Sequence, residues 1–142
     1  MPVMRPRSAF VLLVSTVMLS ACSASKPDAQ KLTEVHRTTS GDLDVVLLAT
    51  SDALPSGKSQ ATLEFQTARD HRLVDVGTVN VGASMEMAGM GPMLGSVFVK
   101  KGDTPGRYTL DTDLGMTGTW RLKVDWNGPR GTGSVMFPGT VR

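Results

Sequence analysis

Ala61, Leu63 and Phe65 alternate with Thr62, Glu64 and Gln66. A period of two puts every second side chain on the same face of an extended strand, so one face can be buried while the other stays wet. The same signature recurs along most of the chain. Leu43–Ala49 is a mainly apolar run behind Ser40-Gly41. Leu73–Ala83 carries Val74, Val76, Val79 and Val81, with a change of parity near Gly77 that reads as a bulge or kink. Leu94–Lys100, Arg107–Asp111, Gly118–Trp126 and Thr132–Phe137 follow, separated by Gly-, Pro- and Asp-bearing turn clusters. No window beyond the N-terminal segment sustains a 3.6-residue apolar stripe. About seven short antiparallel strands at this spacing predict an all-β, immunoglobulin-like sandwich, with a small barrel as the alternative.

Strand direction then sorts the loops. Successive antiparallel strands send successive loops to alternate ends. The segments Met85–Met93, Asp113–Thr117 and Asp52–Lys58 are therefore expected at one end, and the turn holding His71 at the other. His36 falls before the first expected strand.

The N-terminus carries a separate message. Arg5 and Arg7 precede the apolar run Ala9–Leu19, which is as long as a signal-peptide core and short for a membrane span. Leu19-Ser20-Ala21-Cys22 follows and resembles a bacterial lipobox, with the chain's one cysteine at the lipidated position. The expected organisation is a lipoprotein signal peptide over 1–21, a polar flexible tether over 22–39 and a β domain over 40–142. Ser23 after Cys22 resembles an outer-membrane address, on the periplasmic face of the bacterial envelope.

Fifteen Lys and Arg stand against thirteen Asp and Glu, and Arg5 and Arg7 account for the difference. The remainder is balanced, which argues against nucleic acid as a partner and against a polybasic membrane-binding surface. Membrane attachment would come from the lipid on Cys22. With Cys22 so used, neither a disulfide nor a cysteine nucleophile is expected.

The segment MEMAGMGPM, Met85–Met93, holds four methionines among two glycines and a proline. Thioethers are soft and do not titrate, so they suit Cu(I) and need no deprotonation before binding it. Met85 and Met87 share a face if the strand runs through them. Gly89 and Gly91 allow the backbone to return Met90 or Met93 towards them. Met116 approaches from the neighbouring loop. The competing explanation is packing, because methionine fills irregular gaps and can plug the open end of a sandwich; a sticky contact surface is a third. Trp120 could lay its ring over a bound cation, although a tryptophan in an alternating strand more often belongs to the core. His36 and His71 read as plain polar residues. No nucleophile elbow, phosphate-cradling glycine loop, zinc-type His/Cys spacing or locally paired carboxylates are seen, so no enzymatic activity is expected.

A valine-rich strand, then M-x-M-x-x-M-G-x-M, then Gly106, Tyr108, Leu114, Met116, Gly118, Trp120, Leu122 and Val124 resembles the YtkA-like domain, related to FixH-like extracytoplasmic proteins. The resemblance covers about Leu43–Phe137. It implies a small immunoglobulin-like domain outside the cytoplasm, in the setting of heavy-metal efflux or copper-oxidase assembly. Met85, Met87, Met90 and Met116 match its methionines, and Tyr108 and Trp120 its core aromatics. The chain lacks a transmembrane helix of the FixH kind, which weighs against an oxidase-assembly role. Two functions are expected to compete. One is Cu(I) binding by Met85, Met87, Met90, Met93 and Met116, passing copper to or from a metal-efflux or copper-assembly protein. The other is a metal-free binding module or accessory subunit of such an envelope complex.

Overall fold

A computed structural model describes residues 30–142. The signal peptide, Cys22 and most of the expected tether lie outside the described residues. Eight strands follow in order: β1 Thr33–Ser40, β2 Leu43–Ala49, β3 Gly57–Thr67, β4 Thr78–Met85, β5 Met93–Lys101, β6 Arg107–Leu114, β7 Gly118–Gly128 and β8 Gly131–Val141. There is no helix among the described residues, and so none long and apolar enough to cross a membrane.

The strands are hydrogen-bonded in the order β1-β2-β3-β6-β5-β4-β7-β8, each antiparallel to its neighbours. The all-β sandwich is thus folded from one continuous ladder. β5 is the corner strand: Met93–Gly95 pair with β4, and Ser96–Lys101 pair with β6. Gly95 is where the strand turns between layers. A Cβ there would lie 2.5 Å from Leu114 Cδ2 and 3.0 Å from Trp120 Cζ3, so only glycine lets β5 cross this close to the core. On the far side the two outer strands approach one another, and the His36 ring on β1 stacks on Phe137 of β8 at 4.7 Å. The sandwich comes close to a barrel.

Alternation accounts for the core. Ala61, Leu63 and Phe65 of β3 are buried, as are Tyr108, Leu110 and Leu114 of β6 and Trp120, Leu122, Val124 and Trp126 of β7. Phe65 meets Tyr108 and Trp126 edge-to-face, with ring centroids 5.6 and 5.4 Å apart. Tyr108 and Trp120 are core aromatics, as the family resemblance implies.

Two expectations need correction. The tether does not extend to residue 39, because Thr33–Ser40 form β1, and about seven strands become eight. β1 reads as a tether because it is an edge strand whose outer face is polar, which is how edges avoid unwanted pairing. Its Val35 packs on the core. Its Arg37 reaches Glu34 at 2.9 Å, Asp44 of β2 at 2.8 Å and Gln66 of β3 at 3.2 Å, pinning the strand across its neighbours. The second correction concerns Leu73–Ala83. Regular strand begins only at Thr78, and Leu73–Gly77 is a closing segment beneath the sandwich. Val76 is fully buried there, and Val74 N–H donates to the Phe65 carbonyl at 2.9 Å. The change of parity at Gly77 marks the passage from this segment into β4. Its valines mimic a strand because Val76 is buried and Val74 packs half-buried against the core.

Candidate functional site

Register fixes which loops share an end. Met85 is the last residue of β4 and sits opposite Met93, the first of β5. Gly118 pairs with Val141, Gly57 with Leu114, and Thr33 with Ala49. The β4–β5 hairpin, the β6–β7 turn and the β2–β3 loop therefore lie at one end, together with the start of β1 and the end of β8. Missing β1 left the parity intact, because β1 precedes every strand in the expected count. His71 lies at the opposite end, and His36 within β1.

Met85 and Met93 form one pair. Residues directly opposite in an antiparallel ladder have Cβ atoms about 4.5–5.5 Å apart. Both side chains are half-buried and pack on the core. The Met85 methyl reaches over Gly118, 2.7 Å from where a Cβ would stand. Met85 thus touches the strand that emerges from the Met116 turn.

Met87 and Met90 form a second pair. The Met90 N–H donates to the Met87 carbonyl at 3.3 Å, and Gly89 between them has φ 75°. A positive φ at the third position gives a type II turn, brings its two end residues within about 7 Å and favours glycine there. Met87 and Met90 line an open hollow of about 330 Å³ with Glu86 and Pro92. Met90 is 66% exposed. Glu86 is drawn to the outer face by an ion pair with Arg121 of β7.

Met116 is 41% exposed in the β6–β7 turn. The turn is held from below, where the buried Trp120 indole N–H donates to the Met116 carbonyl at 2.9 Å. Trp120 therefore supports the methionine end from inside the core. Being fully buried, its ring offers no open face to a cation, and the cation–π role considered for it falls away.

Five thioethers are thus distributed over a hairpin and the adjoining turn. Met85 and Met93 face inward, Met87 and Met90 flank one turn, and Met116 comes from the next. Uncharged sulfur donors at a solvent boundary fit a soft monovalent cation and suit a hard divalent one poorly. Among the described residues no group of three or more His, Cys, Asp or Glu is placed to hold a metal ion. A copper site here would therefore be built from thioethers.

Away from this end, Asp44 is buried between Thr39 Oγ1 at 2.6 Å and Arg37 at 2.8 Å, with His71 Nδ1 at 3.5 Å. The Thr39 hydroxyl and then Arg37 hold its carboxyl below the usual range against the opposing effect of burial. The sequence shows His71 as a plain polar residue and nothing that ties it to Asp44. Their partners come from β1 and from the β3–β4 connection, and no local spacing announces the contact. An outer-face hollow of about 560 Å³ beside Phe98 holds Asp111, which is bound to Lys100 at 2.5 Å and to Gln60 at 2.8 Å.

The family model described as YtkA-like matches residues 37–125, more than half of the chain. No curated protein matches it. The chain belongs to the YtkA-like family.

Proposed function

We propose that this YtkA-like protein is a lipid-anchored envelope protein that binds Cu(I) through thioethers at one end of its sandwich and serves in copper handling or metal resistance. One observation carries this reading: the topology gathers Met85, Met87, Met90, Met93 and Met116 at a single end, three of them on exposed turns or lining a solvent-open hollow. Met87 and Met90 supply the first two sulfurs, and Met116 or Met85 the third. The bound ion is cargo, held by soft ligands until transfer. Exchange with a metal-efflux or copper-assembly partner would take place at the same turns. The leader and Cys22 place the protein, in this proposal, on the periplasmic face of the outer membrane through lipid, with no nucleic-acid partner.

A metal-free binding module is the second reading. It is favoured by the half-buried packing of Met85 and Met93, which any apolar cap would share. An anaerobic Cu(I) titration of residues 30–142 against a competing chelator separates the two. The expected result is stoichiometric binding with shifts of the Met87, Met90 and Met116 methyl resonances. Affinity should be the same at pH 5 and pH 7, because no ligand gives up a proton. Absence of binding, or binding retained after Met87→Leu and Met90→Leu together, overturns the copper reading.

A further inference from the structure

β1 enters the domain at the methionine end, since Thr33 pairs with Ala49 at the top of β2. Cys22 lies eleven residues before Thr33. Whatever path they take, eleven residues reach at most about 40 Å. The longest strands have 11 residues and so run about 35 Å from one end of the sandwich to the other. A lipid on Cys22 therefore permits the opposite end to meet the bilayer only if the whole connection is pulled straight along the domain. Four of the six exposed large apolar side chains among the described residues lie at or near the methionine end: Met90, Met116, Leu32 just before β1, and Leu94, 77% exposed near the start of β5; Phe98 and Met136 are exposed further along their strands. The charges close by are largely self-compensating, with Glu86 bound to Arg121 and Asp52 to Arg142.

We propose that the methionine end of the sandwich faces the bilayer and rests Leu32, Met90, Leu94 and Met116 at its headgroup boundary. The proposal depends on the lipid anchor at Cys22 and is independent of copper binding. Contact of this kind is apolar, so neither salt nor anionic lipid should govern it. The thioethers would then be presented at the height of a membrane-embedded partner and away from the bulk periplasm.

Methionine methyl groups supply the probe. Met136 is exposed on β8, five residues below Val141 and thus about 17 Å from the methionine end. The full lipidated chain would be placed in phosphatidylcholine vesicles carrying a nitroxide on the headgroup. The expected result is loss of the Met90 and Met116 methyl signals with Met136 retained, unchanged by high salt. In the variant carrying Met90→Asp and Leu94→Asp, the Met116 signal should return while the lipid keeps the protein on the vesicles. Equal loss at Met136, no loss at all, or a Met116 signal still lost in the variant overturns the contact. A mature chain whose mass shows no lipid on Cys22 overturns the anchor and this orientation together, and leaves the copper titration to be judged by itself.

Discussion

Trp120→Phe should destabilise the domain and loosen the Met116 turn together. Phe keeps one aromatic ring but loses the indole N–H and part of the buried ring system. The lost bond to the Met116 carbonyl costs about 1 kcal/mol, because that carbonyl lies in an exposed turn where water can replace the donor. The vacated volume, about three methylene equivalents at roughly 0.8 kcal/mol each, adds about 2 kcal/mol. A total near 3 kcal/mol corresponds to a fall in Tm of roughly 10–20 °C for a domain of this size. Gly95 offers an internal check. Gly95→Ala puts a methyl 2.5 Å from Leu114 Cδ2 and 3.0 Å from Trp120 Cζ3, so alone it should cost about 1–3 kcal/mol by overpacking. In the Trp120→Phe background that methyl, and the displaced Leu114, have room. The two changes together should therefore cost about 1 kcal/mol less than their sum. Urea unfolding of the four proteins measures this directly. A loss below about 1 kcal/mol for Trp120→Phe, or additivity within roughly 0.5 kcal/mol, would refute the packing described around Trp120.

Three further outcomes are expected. Thr39→Val removes the hydroxyl that most strongly holds the Asp44 carboxyl down. A lowered folded pKa gives stability that is present above the unfolded value, about 3.9, and is lost as pH falls through the folded value. The variant should therefore unfold at higher pH on acidification, and be about 1–2 kcal/mol less stable at neutral pH; an unchanged acid limb in circular dichroism contradicts this. Gly118→Ala asks an alanine to adopt φ 139° with its Cβ against the Met85 methyl. It should cost about 1–3 kcal/mol, shift the Met85 methyl resonance and leave that of Met136 in place. Tyr108→Phe deletes the hydroxyl that donates to the Gly77 carbonyl at 2.8 Å, and should lower stability by about 1–2 kcal/mol without altering Cu(I) affinity, because this bond lies at the end opposite the methionines.

The sequence exposes the central strands better than the edges. Leu63 and Phe65 in β3, and Trp120, Leu122, Val124 and Trp126 in β7, alternate cleanly because those strands have a partner on each side and a single buried face. β1 packs one apolar side chain, Val35, and the His36 ring against the core and carries Glu34 and Arg37 outward, so hydrophobic periodicity cannot distinguish it from a tether. Val74 and Val76 err the other way, satisfying a strand pattern while lining a closing segment. The shared end of the methionine loops was legible because the ends of antiparallel strands alternate, and counting them needs no side-chain detail. The division of the methionines into an inward pair and a turn pair was not legible. It depends on where β4 stops pairing with β5 and on the Met90 to Met87 hydrogen bond, both set by tertiary register.

That division bears on what the methionines are for. Met85 and Met93 have neighbours on the core side, and leucine of similar volume would satisfy them at a cost of less than about 1.5 kcal/mol. Packing alone accounts for those two. Met90 is two-thirds exposed on a turn and Met116 is exposed on the next. An apolar side chain there returns little burial to the isolated fold, and a polar residue would suit a water-facing type II turn equally well. A soft ion and a bilayer surface, arriving from outside the domain, would use them differently. A soft ion uses the sulfur and is indifferent to the methylenes; a bilayer surface uses the methylenes and is indifferent to the sulfur. Met→Leu at 90 and 116 abolishes the first and preserves the second, whereas Met→Asp removes the thioether and opposes burial at once. The pair of substitutions at the same two positions assigns the methionines to metal, to membrane, or to both.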